Sequence, residues 1–225
     1  MRERNEDSIL TDPEGVLWAV ADGMGGYGHG DVASDIVIER LSTLADNALA
    51  APGLRTRLLE ANQAIIAKSA EPGMNQMGST VVAVMIQNST ATIAWVGDCR
   101  AYLWRRGALR LLTRDHTVVQ EMVDEGLLRD DARESHPESH VVTRAVGFEL
   151  DLEVDVVSAP LVAGDRMVLC SDGLTACLGD QDIARQVGTA PDTDALCKSL
   201  VTKALERGAP DNVSVVCIFA TEAPA

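Results

Sequence analysis

The sequence predicts an α+β fold, a four-layer α-β-β-α sandwich with two central, mainly antiparallel sheets. Three observations carry that expectation. Eight apolar runs of strand length are rich in β-branched residues and bounded by Gly, Asp, Asn or Pro. The runs in the middle of the chain follow one another closely, as hairpins do, without regular strand–helix alternation. Amphipathic helical patterns lie outside that block, and helices outside two packed sheets would use all of the apolar surface.

In chain order, Val16–Ala21 reads as a strand. Two helices follow. In the first, Val32, Ile36, Val37, Leu41, Leu44 and Ala48 form one stripe; in the second, after Pro52-Gly53, Leu54, Leu58, Leu59, Asn62, Ile65 and Ile66 share a face. Thr80–Ile86, Thr92–Val96, Ala101–Trp104 and Leu109–Leu112 are the hairpin-like strands. The stretch Asp115–Val142 is acidic and polar, with a helical piece around Val118–Leu128. It reads as a surface excursion, a flap of the kind that sits beside a binding site. Val154–Val157 and Met167–Cys170 are strands. A helix from Pro191-Asp192 aligns Leu196, Leu200, Val201 and Leu205 before Gly208, and Val213–Phe219 is the last strand. With no internal repeat, low-complexity tract or linker, residues 1–225 are expected to form one domain.

Composition narrows the function. Apolar residues are 46% of the 225, enough for a full core, and with aromatics at only 3% that core must be Val, Leu, Ile, Ala and Met. A net charge of −15 with no Lys/Arg cluster argues against nucleic acid as a partner. No apolar run approaches the roughly 18 residues of a membrane span. The charged start, Met1 to Asp7, does not read as a secretory signal. Five cysteines without a CxxC pair make neither a disulfide frame nor a thiolate zinc site. The expectation is a reduced cytoplasmic protein.

Carboxylates recur at the ends of these strands. Asp22-Gly23 follows Leu17–Ala21, Gly97-Asp98 follows Ile93–Val96, and Asp172-Gly173 follows Met167–Ser171; Asp211-Asn212 precedes the last strand and Glu6-Asp7 the first. One Asp-Gly is usually a turn. Several at equivalent strand ends are a joint signal, because converging carboxylates repel and need a cation. With all-oxygen donors, glycines that let backbone carbonyls approach and no His/Cys cluster, Mg²⁺ or Mn²⁺ suits them best.

In this order, Arg2-Glu3-Arg4-Asn5-Glu6-Asp7, Ala21-Asp22-Gly23-Met24-Gly25-Gly26, Gly78-Ser79-Thr80, Trp95-Val96-Gly97-Asp98-Cys99-Arg100, Leu112-Thr113-Arg114-Asp115-His116, Thr143-Arg144-Ala145-Val146-Gly147, Cys170-Ser171-Asp172-Gly173-Leu174 and Asp211-Asn212-Val213-Ser214 span nearly the whole chain. The set resembles the metal-dependent protein serine/threonine phosphatases of the PPM (PP2C) type, in their bacterial form. That resemblance implies hydrolysis of phosphoserine and phosphothreonine in proteins, opposing a bacterial Ser/Thr kinase, at two Mn²⁺ or Mg²⁺ ions. By similarity Asp22 bridges the two ions, the Gly23 carbonyl binds one, and Asp172 and Asp211 complete the other. Asp98 and Asp172 match the holders of a weaker third ion. Glu6 and Asp7 look like outer acceptors for metal-bound water, and Arg2 matches the arginine that grips the substrate phosphate. His29 is the candidate acid for the leaving oxygen, against the plainer reading of a loop histidine starting a helix. His116, after Arg114-Asp115, reads as holding a turn.

Two rivals are weighed. Cys99 and Arg105 have the C-x5-R spacing of cysteine-dependent phosphatases, yet Arg100-Ala101-Tyr102-Leu103-Trp104 between them are bulky strand formers, and Asp98 would raise the thiol pKa. The other rival is a catalytically silent PP2C-like regulatory module, which would be expected to lose ligands that this chain keeps. Departures from the family pattern are Met24 where eukaryotic relatives have His, Ala176 where many add an acid, and Ser139-His140 where many relatives have Arg-Asn.

Overall fold

The computed structural model describes residues 4–12, 15–25, 29–45, 47–133 and 136–222. Strands β1 (Asp7–Thr11), β2 (Leu17–Gly25), β3 (Met77–Gln87), β4 (Thr90–Val96) and β7 (Asp155–Pro160) form one sheet in the order β1-β2-β3-β4-β7. Strands β5 (Arg100–Arg105), β6 (Ala108–Leu111), β8 (Arg166–Cys170) and β9 (Val215–Phe219) form the second, in the order β6-β5-β8-β9. Every strand pair is antiparallel.

Alternation along β3 shows why the sheets stack. Val81, Ala83 and Met85 face helices α1 (Gly30–Ser42) and α2 (Ala50–Ser69), packing with Val37, Leu41, Leu54, Leu58 and Ile65. Val82 and Val84 face the other way, onto Ala101, Leu103, Met167, Leu169 and Val216 of the second sheet. A strand covered on both faces needs a continuous apolar run, and β3 has one. The outer face of the second sheet, with Tyr102, Val168 and Cys170, is covered by α4 (Asp172–Thr175), α5 (Asp180–Thr189) and α6 (Thr193–Glu206) through Leu174, Ile183, Val187, Leu196 and Leu200. The layers are therefore helix, sheet, sheet, helix, as expected from sequence.

Several details differ from the sequence reading, beginning with α1, which ends at Ser42 and leaves Leu44 and Ala48 outside it. β1 was not expected: its burial alternates, but Asp7, Ser8 and Thr11 hide the apolar pattern of an edge strand. Helix α2 starts at Ala50, ahead of Pro52, because a proline is tolerated within the first turn. Helix α5 was missed because Ile183 and Val187 are its only buried side chains. Strand β9 begins at Val215, since the Ser214 amide and carbonyl are engaged by Ser171. Between β6 and β7 the chain makes its long excursion. The base is closed by a Thr117–Val142 bridge, and Thr117 Oγ1 caps helix α3 (Val118–Asp124) by accepting from the Gln120 amide. No helix among the described residues is long and apolar enough to cross a membrane.

Candidate metal centre

The antiparallel register sets Asp7 directly opposite Asp22 on the first two strands. Asp98 follows the end of β4, Asp172 follows β8, and Asp211 precedes β9. Strand ends from both sheets thus meet in one place. Asp22 and Asp172 lie in hydrogen-bonding contact. Burial first, then the charges of Asp7, Asp172 and Asp98, push the Asp22 carboxyl up to about 10. Burial, then Asp172 and Asp115, push Asp98 up to about 7. Asp7 is also raised, by burial and by Asp172 and Asp211, against lowering hydrogen bonds from Ser214 and Ser171. The charge of Asp172 thus bears on Asp7, Asp22 and Asp98 alike, and that of Asp211 on Asp7.

Close backbone contact explains the glycines. A Cβ on Gly23 would lie 2.0 Å from the Gly30 carbonyl oxygen, and one on Gly173 would lie 1.8 Å from the Asn212 carbonyl oxygen. Each Asp-Gly pair therefore sits where a second strand of chain presses in, which a simple turn does not require. Glu6 knits the first of these contacts. Its carbonyl accepts from the Gly23 amide at 3.0 Å and from Ser34 Oγ at 2.6 Å, while Oε1 accepts from the Gly30 amide at 3.2 Å. That carboxylate serves the first amide of α1, whose residue before the helix, His29, makes no side-chain cap.

Two residues of the site were not singled out by sequence. Ser171 Oγ accepts from the Ser214 amide at 3.0 Å, so its proton goes to Asp7 Oδ2 at 2.9 Å. Asn212 Oδ1 accepts from the Glu6 amide at 3.0 Å, and its Nδ2 donates to the Arg4 carbonyl at 3.2 Å. Both were visible only as neighbours of aspartates in the motifs; bonds spanning 164 and 206 residues leave no local spacing to read. Beside Asp98 and Asp172 a cavity of about 230 Å³ opens, walled by Arg100, Arg133, Ser139 and His140. Arg100 is held there by Asp115 through Nε at 3.0 Å and Nη2 at 2.6 Å. Arg2 lies outside the described residues.

The thiolate reading fails on geometry. Cys99 and Arg105 flank and end an extended strand, not a phosphate-cradling loop. Cys99 is buried, with Sγ 3.2 Å from Thr80 Oγ1, and burial together with Asp22 and Asp98 raises its thiol well above the usual range. Arg105 is occupied elsewhere, by Asp165 and the Pro160 carbonyl.

The family model described as protein phosphatase 2C matches residues 2–209. The chain belongs to the protein phosphatase 2C family. It is 37% identical over 224 residues to the serine/threonine protein phosphatase PstP of Mycobacterium tuberculosis, covering 96% of this chain and 42% of that protein. The chain therefore spans under half the length of that curated relative. The crystal structure of the M. tuberculosis phosphatase PstP/Ppp matches with a TM-score of 0.93 at 35% identity, over 99% of this chain and 94% of that one. A structure of the PstP catalytic domain in complex with two manganese ions matches with a TM-score of 0.89 at 34% identity, over 99% and 94%.

The residues of this 2C-family site fit a hard divalent cation. All their donors are oxygen, their like charges raise one another's pKa, and Asp7 Oδ1 is buried without a hydrogen-bond partner among the described residues. Among the described residues no group of three or more His, Cys, Asp or Glu side chains is already placed to hold a metal ion by itself. An ion there would complete its shell with backbone carbonyls or water.

Proposed function

We propose that this protein phosphatase 2C chain removes phosphate from phosphoserine and phosphothreonine in proteins with the help of two Mn²⁺ or Mg²⁺ ions. The observation that carries the proposal is the meeting of carboxyls from both halves of the sandwich: Asp7 stands opposite Asp22 in the strand register, and Asp172, which follows β8, lies against Asp22. Asp22, the Gly23 carbonyl, Asp172 and Asp211 would hold the two ions, and Asp98 with Asp172 would hold a weaker third. When bound, such ions make a shared water nucleophilic near neutral pH and offset charge on the phosphoryl oxygens.

The chain's own groups do the rest. Ser171 fixes Asp7 as an acceptor, because its hydroxyl proton is committed to Oδ2. The other oxygen, Oδ1, is left to orient water. Glu6, tied to Gly23, Gly30 and Asn212, is assigned the same role. Arg2 holds two phosphoryl oxygens at once, and His29 donates the proton that the departing serine or threonine oxygen needs. The cavity beside Asp98 and Asp172 gives the phosphorylated segment a place to lie. Such a protein works in the cytoplasm against a cognate Ser/Thr kinase.

Turnover of p-nitrophenyl phosphate and of phosphoserine and phosphothreonine peptides tests this reading. Activity with Mn²⁺ is expected, abolished by EDTA and lowered at least about a hundredfold by Asp172→Ala. Tight Mn²⁺ binding with no turnover of any of these would instead favour the silent module.

A further inference from the structure

The loop that carries Asp98 is held by one histidine. Gly97 donates its amide proton to His116 Nδ1 at 3.0 Å, and the His116 amide donates to the Gly97 carbonyl at 3.0 Å. Both polar backbone groups of the residue before Asp98 are thus bonded to His116. Gly97 has φ +96°, and a Cβ there would lie 2.3 Å from the Thr80 side chain, so this peptide has little room to settle elsewhere.

The ring's protonation pattern follows from these bonds. Nδ1 accepts from an amide, so it carries the lone pair and the ring proton resides on Nε2. That proton faces Asp155 Oδ2 at 3.2 Å. Arg144 Nη1 also lies 3.2 Å from Nε2, but two N–H groups cannot bond each other. Its guanidinium pairs instead with Glu153 at 3.3 Å and Asp155 at 3.5 Å. Trp95 stacks on the imidazole, with centroids 6.2 Å apart and planes at 18°, and its Nε1 donates to the Arg114 carbonyl at 2.8 Å. The His116 carbonyl accepts from the Thr143 amide at 2.9 Å, beside the bridge that closes the base of the excursion.

We infer that His116 is a positioning residue for the ion held at Asp98: through Nδ1 it fixes the Gly97 peptide that aims this carboxylate, and through its carbonyl it ties that peptide to the base of the excursion. The inference rests on the reading of Asp98 as a ligand of the weaker ion. It goes beyond holding a turn, because a turn needs only the backbone bonds.

The test is Mn²⁺ binding by calorimetry on the full chain, without substrate, for wild type, His116→Asn, His116→Gln and Asp98→Asn. An Asn side chain places its oxygen near Nδ1 and can accept from Gly97; a Gln amide reaches toward Nε2 and leaves that amide unmatched. His116→Asn is expected to keep weak-ion affinity within about twofold, and His116→Gln to lose about tenfold or more, with the two tighter ions unchanged in both. Equal losses in the two variants, or no loss in His116→Gln, would overturn the inference. If Asp98→Asn leaves the weak ion untouched, the ligand reading itself fails and the inference falls with it. Long-range ¹H–¹⁵N spectra of the wild-type protein test the same claim without a variant. A bare Nδ1 and a protonated Nε2 are expected, and the opposite tautomer would overturn it.

Discussion

Asp7 and Asp22 stand directly opposite each other in the register of the first two strands, two acids where cross-strand packing ordinarily avoids like charges. Sequence-distant Asp172 adds a third charge against Asp22. This arrangement opposes folding when the carboxylates are bare and becomes an asset when a cation lies among them.

Neutralising the central acid should therefore separate stability from binding. In EDTA at pH 8, Asp22→Asn is expected to raise the thermal midpoint by about 2–4 °C for each kcal/mol of repulsion relieved. The same variant should lose at least about tenfold in Mn²⁺ affinity. A variant destabilised without metal would show that the repulsion is already compensated within the chain.

The pH dependence has a definite sign. Asp22 and Asp98 are raised from 3.8 to about 10 and about 7. Between pH 4 and these values the folded chain holds protons that the unfolded chain has released, so metal-free stability falls as pH rises through that window. Asp165, kept low by Arg105, loses its contribution only below about pH 4, outside the window, and His116, lowered chiefly by burial, acts in the opposite sense only at the acid end, one proton against two. Thermal scans in EDTA should show a midpoint that declines from pH 5 to 8. In Mn²⁺ the decline should flatten, and apparent affinity should rise with pH as the ion displaces protons. A midpoint that climbs over this range in EDTA would contradict the account.

Ser171→Ala removes the hydroxyl between the Ser214 amide and Asp7 Oδ2. With the Ser214 amide left unmatched and Asp7 keeping only its hydrogen bond from Ser214, a loss of about 1–3 kcal/mol is expected by urea denaturation. Turnover should fall more than the Michaelis constant changes, because Asp7 orients water and does not hold substrate. Ser171→Thr, which keeps the hydroxyl, should recover most of the turnover.

Gly173→Ala should be worse than an ordinary surface change, since its Cβ would lie 1.8 Å from the Asn212 carbonyl oxygen. A cost of about 1–3 kcal/mol is expected, with weakened Mn²⁺ binding because Asp172 and Asp211 flank the displaced contact. Gly179→Ala is the control: its Cβ meets nothing within 4 Å and its φ of −70° suits any residue, so it should lose little stability and no metal affinity.

Much of this was legible in the sequence, and the reasons are physical. The β3 and β4 runs are long and apolar because both faces of the sheet are covered, so their strands could be read directly. The acids at strand ends were visible because Asp-Gly breaks an apolar run wherever it occurs. What remained hidden depends on contacts between distant segments. β1 is an edge strand whose inward residue near the site is an aspartate, so polarity masked it. Helix α5 buries only two apolar side chains, too few for a stripe. Ser171 and Asn212 act through bonds to Asp7, Glu6 and Arg4, which no spacing rule connects.

The most direct measurement of the central claim is anomalous diffraction from a crystal soaked in Mn²⁺, recorded on both sides of the manganese edge. The account expects two strong peaks in contact with the Asp22 carboxylate, one also touching the Gly23 carbonyl and the other Asp172 and Asp211. Peaks only at other surface acids, with Asp22 and Asp172 still in direct contact, would contradict it.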